Sequence, residues 1–175
     1  MKYKLLIITL LGWFGGTFKT FAQSIDSVFI QSAFQKLENS RSYTLLVAKA
    51  MPIEKYDFRP SKESMTFAQQ LHHLAENLGW LSSSYLKSES NPISKKVPTG
   101  KDEIIVELEL VYDYALQALR DFKVDRLTDQ VSFFAGPLTE IQIINLINDH
   151  QTHHRGQLLV YLRMNNINPP AYIGW

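Results

Sequence analysis

Cysteine is absent from all 175 residues. That excludes disulfides, thiolate metal ligands and a cysteine nucleophile, and it is compatible with an oxidising, exported compartment. An excess of charge is missing as well: 18 Lys and Arg stand against 17 Asp and Glu. With no basic arm or stripe to hold phosphate, nucleic acid is not an expected partner. Neither a G-x-S-x-G nucleophile elbow nor a phosphate-binding glycine loop occurs, so those two enzyme classes are set aside. The apolar run near the start, LLIITLLGWFGG, is interrupted by Gly12, Gly15 and Gly16. It falls short of the ~20 residues a membrane-spanning helix needs.

That run is flanked by Lys2 and Lys4 before it and by Thr20-Phe21-Ala22 after it. Charged, apolar and small-residue parts in this order predict a secretory signal cleaved after Ala22, leaving Gln23 first. The expected division is therefore a signal peptide over residues 1–22 and one domain over 23–175, periplasmic or secreted and soluble once cleaved. Removing Lys2, Lys4 and Lys19 takes the 18 basic residues to 15 against 17 acidic ones, close to neutral.

Within the domain, apolar residues recur at three and four positions. Val28, Phe29, Phe34, Leu37, Tyr43, Leu45 and Val47 predict a first long helix from Ser24 to about Ala50. Pro52 and Pro60 mark an irregular connection. Thr66 with Gln69 fits a capping box opening a second helix near Met65, whose stripe is Phe67, Leu71, Leu74, Leu78 and Leu81. Serines, Pro92, Pro98 and Gly100 predict a loop after Tyr85. A third helix from Lys101 to Glu103 onward carries Ile104, Leu108, Val111, Ala115 and Leu119. The stretch from Lys123 to Pro137 reads as a loop with a short hairpin around Val131 to Phe134. Thr139 with Gln142 opens a fourth helix running to about Met164, and Pro169 and Pro170 end any helix before a tail expected to pack back over the domain. Four amphipathic helices and little strand signal predict an all-α four-helix bundle, an architecture that builds metal or ligand sites from inward side chains.

His150 and His154 lie four residues apart on the fourth helix, on the stripe of Ile143, Ile147, Gln157 and Tyr161. Side chains at that spacing share a helix face, about one turn apart. Burying two imidazoles among apolar residues is costly unless their nitrogens find partners, and one metal ion satisfies both. A histidine from the second helix would complete a three-nitrogen site, and three protein ligands with an open position is the arrangement of catalytic zinc. His72 and His73 sit about 100 degrees apart on that helix, so one of them is expected to face the core. Spacing alone leaves the choice open. His72 with Glu76, and His153 with Asp149, have the spacing of exposed ion pairs. Asn77, Gln157 and Tyr161 are placed to orient imidazoles by hydrogen bonding, and Glu76 or Asp149 to act as a general base. Trp80, Phe133, Phe134, Tyr172 and Trp175 are candidates to line a pocket or to fill the core.

The stretches MTFAQQLHHLAENLGWL and HQTHHRGQLLVYLRMNNINPP, with FRPSKESMTF ahead of the first, resemble the DinB/YfiT-like metal-binding four-helix-bundle family. The resemblance covers essentially all of the domain, and its most specific part is the run from His150 to Gln157. It implies a divalent metal between the second and fourth helices, bound by His73, His150 and His154, and a homodimer. Among relatives it implies metal-dependent thiol transferases or hydrolases; the link to DNA damage concerns expression and implies no DNA contact. The export signal departs from the cytosolic members.

The leading expectation is thus an exported metalloenzyme whose ion, zinc by default and nickel or iron as alternatives, activates water or a thiol against a small-molecule substrate. A noncatalytic bundle that binds metal or a small ligand predicts instead a fourth coordination position closed by protein. An interaction protein with vestigial histidines predicts no stoichiometric metal. No catalytic residue beyond these ligands is assigned.

Overall fold

The computed structural model describes residues 24–175; the expected signal peptide and its cleavage point lie outside them. Four helices carry the fold: α1 (Ile25–Ala50), α2 (Phe67–Leu81), α3 (Lys101–Arg120) and α4 (Glu140–Met164). Among the described residues no helix is long and apolar enough to cross a membrane.

The helix starts follow local chemistry. Thr66 accepts from the Gln69 amide at 3.1 Å while its own amide donates to the Gln69 side chain at 2.8 Å. Thr139 and Gln142 form the same reciprocal box at the start of α4. Both satisfy donors that a helix start leaves free. At its far end α2 does not give way to a loop at once. It runs on as a π-helical turn, Ser82–Lys87, and stops where Ser88 takes a left-handed conformation at φ 57°.

In cross-section, α1 and α2 are diagonal to each other, and each packs against both α3 and α4. The core between them is aliphatic, with Leu37, Val47, Leu71, Leu74, Leu78, Ile104, Leu108, Ile143, Ile147 and Leu158 all buried. A polar seam crosses it on the α1 side. Tyr112 donates to Gln151 at 2.8 Å and meets the hydroxyls of Ser40 and Thr44. Arg155, 4% exposed, donates to Ser40 at 2.6 Å and lies over the Tyr43 ring. Gln151 then donates to the Leu74 carbonyl at 3.1 Å, fixing α4 against α2 one residue from His73.

The hairpin sits slightly off its expected place. Its strands are β1 (Gln130–Val131) and β2 (Leu138–Thr139), paired antiparallel, and Phe133 and Phe134 ride on the turn between them. Arg126 ties this region down: it donates to the carbonyls of Tyr85 and Leu86 and pairs with the buried Glu140 carboxylate. The tail packs back as expected, with Tyr172 edge-on to Tyr43 at 6.1 Å and Asn39 donating to the Trp175 carbonyl at 2.6 Å.

Candidate metal centre

His73 of α2 and His150 and His154 of α4 converge. Each offers one ring nitrogen, and these atoms all lie within 4.8 Å of one another. The rings are 4.9 Å apart for His73 and His150, 4.5 Å for His73 and His154, and 4.4 Å for His150 and His154. All three are half-buried. Burial pushes His150 down to about 3 and His154 to about 4, reinforced by neighbouring imidazoles, and it lowers His73 against the opposing pull of Glu76. At neutral pH the cluster is three uncharged imidazoles with lone pairs available.

The group is a donor set that can hold a metal ion. His150 Nδ1 is buried and has no hydrogen-bond partner. A buried polar atom left unpaired costs about 1–3 kcal/mol, so this ring sits at a cost in polar pairing, and one of its nitrogens is among the donors that converge. Neutral nitrogen donors, three in number and drawn from two helices, suit zinc and its neighbours in the first transition row.

A chain of amides holds one of these rings. His154 Nδ1 meets Gln70 Oε1 at 2.8 Å, Gln70 Nε2 donates to Gln157 Oε1, and Gln157 Nε2 meets His153 Nε2 at 2.9 Å. Because Gln70 presents its carbonyl oxygen, His154 donates from Nδ1 and keeps the Nε2 lone pair free. Gln157 therefore supports the site through Gln70, as a partner of a partner. Gln70 itself was not singled out by sequence, although it lies three residues before His73 on α2. Gln151 and Arg155 were likewise missed, hidden in the histidine run as the stripe next to it.

Other expectations change. His72 is not a solvated partner of Glu76: it is 4% exposed, and its Nδ1 pairs at 2.9 Å with Glu107 of α3, leaving its Nε2 without a partner. Both neighbours on α2 face inward because α2 is covered by α3 on one side and by α4 on the other. Burial raises the Glu107 carboxyl against the pull of His72. His153 is exposed and meets Gln157 rather than Asp149. Asp149 lines a separate cavity with Phe29, Lys36 and Asn148, away from the three rings. Tyr161 donates to the Met65 carbonyl at 3.0 Å and so ties α4 to the approach to α2 without touching a histidine. Asn77 lines a cavity with His73, Glu76 and Trp80, and its Oδ1 is unpartnered. Phe133 and Phe134 gather with Trp80 there, whereas Tyr172 and Trp175 pack near Tyr43.

A four-helix bundle with three imidazoles brought together from its second and fourth helices defines a class, and comparison with known proteins gives it a family. The DinB family model matches residues 24–172, and the chain belongs to that family. In sequence it is similar to the uncharacterized protein YjoA of Bacillus subtilis (strain 168), 23% identical over 136 residues covering 75% of this chain and 88% of that one. The crystal structure of the DinB-like protein YjoA from Bacillus subtilis superimposes with a TM-score of 0.69 at 16% identity, covering 81% and 96% of the two chains. A DinB-like protein from Bacillus cereus ATCC 10987 gives 0.68 at 22% identity over 83% and 96%. At these identities the structural likeness establishes the fold.

Proposed function

We propose that the chain is an exported metal-dependent enzyme, hydrolytic or thiol-transferring, that acts on a small electrophilic substrate through a divalent ion, zinc by preference, held by His73, His150 and His154. The reading rests on one observation: three neutral imidazoles, each offering a nitrogen, converge within 4.8 Å with a buried His150 nitrogen otherwise unpaired. Such an ion supplies Lewis acidity, lowering the pKa of water or a thiol and polarising the substrate. The chain's own residues divide the remaining work. Gln70 holds the His154 ring in the tautomer and orientation that expose Nε2. Gln151 anchors α4 to the α2 backbone beside His73, so the two halves of the site keep their separation. Glu76 lines the cavity next to His73 and is the carboxylate placed to accept a proton there. Export is supported by the charged, apolar and small-residue pattern of residues 1–22.

Elemental analysis of the protein, purified without added metal or affinity tag and compared with His150→Ala, tests the centre. One ion per chain, lost in the variant, is the expected result. Protein that cannot be loaded with zinc, nickel or iron, or full metal content in His150→Ala, would overturn the assignment.

A further inference from the structure

His73, one of the three imidazoles, borders a cavity of about 170 Å³ that Glu76, Asn77 and Trp80 also line. An apolar cavity of ~150 Å³ holds a benzene molecule, so this space fits one six-membered ring with a small substituent. The Trp80 wall is extended by other rings. Phe133 stacks on Trp80 with centroids 5.9 Å apart and planes 28° from parallel, and Phe134 lies 6.4 Å from Trp80 and 4.3 Å from Phe133. Tyr85 sits 6.0 Å from both Trp80 and Phe133. These rings come from three places, α2, the π-helical turn after it and the hairpin turn, yet they form one surface. Phe134 is 84% exposed, an aromatic ring left in water at the edge of that surface. A contiguous aromatic patch beside a cavity marks a ligand site more than chance exposure does.

Charge narrows the ligand. No lysine or arginine lines the cavity, and Glu76 does. An anionic group would meet a carboxylate with no counter-charge from the cavity wall, whereas an uncharged donor such as an amide or hydroxyl finds an acceptor. We infer that this cavity receives the uncharged aromatic ring of a small substrate, held against Trp80, whose aromatic surface continues through Phe133 to Phe134, with a hydrogen-bond donor toward Glu76 and its reacting group toward the three histidines. The inference builds on the function proposed above, but the ring's seat does not itself require a metal.

The test is therefore run first on metal-free protein, so that no probe gains from an ion. Benzamide, cyclohexanecarboxamide and benzoate are titrated while the Trp80 indole N–H resonance is followed by NMR. Benzamide is expected to move that resonance, to bind about tenfold more tightly than cyclohexanecarboxamide, the size of effect that aromatic contact supplies, and to bind more tightly than benzoate, whose carboxylate faces Glu76 without a counter-charge. Phe134→Ala is expected to weaken benzamide about fivefold, with circular dichroism and melting unchanged because the ring is exposed. Equal binding of the saturated amide, tighter binding of benzoate, an unmoved Trp80 resonance or an unaffected Phe134→Ala variant would overturn the inference. If zinc fails to load while benzamide binds, the metal reading falls and the ring pocket stands; if zinc loads and no ring binds, the reverse holds.

Discussion

Gln70 accepts from His154 and donates to Gln157, so a single neutral side chain sets which nitrogen of His154 is free. Gln70→Ala is expected to lower zinc affinity by about 10–100-fold, the usual cost of losing a ligand's hydrogen-bonded partner, measured by competition with a chromogenic chelator. Unchanged affinity would show that the ring needs no such support. A second prediction at this scale concerns pH. His150 and His154 are held near 3 and 4, and His73 is also lowered, whereas the same groups in the unfolded chain titrate near 6.5. Between those values the unfolded chain binds more protons, so stability of the metal-free protein is fully present above pH 6.5 and is lost as pH falls toward 4 and below. The folded site, already deprotonated, offers protons little hold. Zinc affinity of folded protein should therefore fall less between pH 7.5 and 5.5 than it would for three imidazoles titrating near 6.5, and a fall as steep as that in the same chelator competition would contradict a neutral cluster. Of this site, His150 and His154 were legible because i and i+4 spacing is a property of the helix itself, whereas spacing left His72 and His73 open and only the family resemblance pointed to His73. His72 was misplaced because its partner Glu107 comes from α3, a contact that local spacing does not contain.

Elements were readable where their boundaries are set by neighbours in sequence. Both capping boxes, Thr66 with Gln69 and Thr139 with Gln142, appear as the residue pattern predicts. The π-helical turn after α2 was not readable, since Ser82 and Ser83 are polar yet fully buried by packing from elsewhere. The loop beyond it is fastened to α2 at Gly79. A Cβ there would collide with the Asn91 side-chain oxygen and crowd Ile93. Asn91 is not free to retreat, because it donates to the Glu76 carbonyl at 3.0 Å and accepts from the Ile93 amide at 2.9 Å. Gly79→Ala is accordingly expected to destabilise by about 1–3 kcal/mol, as overpacking does, lowering Tm by about 2–4 °C for each kcal/mol in a chain of this size. Unaltered melting would mean that the loop yields without cost.

At the scale of the molecule, α2 and α4 are neighbours in space and far apart in sequence, with α3 and the hairpin between them. An ion bridging them favours the folded state, so zinc at 100 times its Kd should stabilise the bundle by up to about 2.7 kcal/mol. Scanning calorimetry with and without zinc checks this, and His150→Ala should show no such gain. Equal shifts in both proteins would place the stabilising ion elsewhere. The bundle class was evident from four amphipathic stripes, while the diagonal placement of α1 and α2 was not, because periodicity gives each helix a face and no neighbour.

The distance along the chain from His73 to His150 has one more consequence. An ion held there would close a loop of 77 residues, the difference between 150 and 73, but unlike a disulfide, which persists in the unfolded chain and restricts it, the ion leaves on unfolding, so its hold follows metal concentration rather than loop entropy. In a protein with no cysteine, the crosslink would answer to a chelator and be blind to reductants, so the free metal concentration around the molecule, and no redox couple, would decide how tightly its ends are tied.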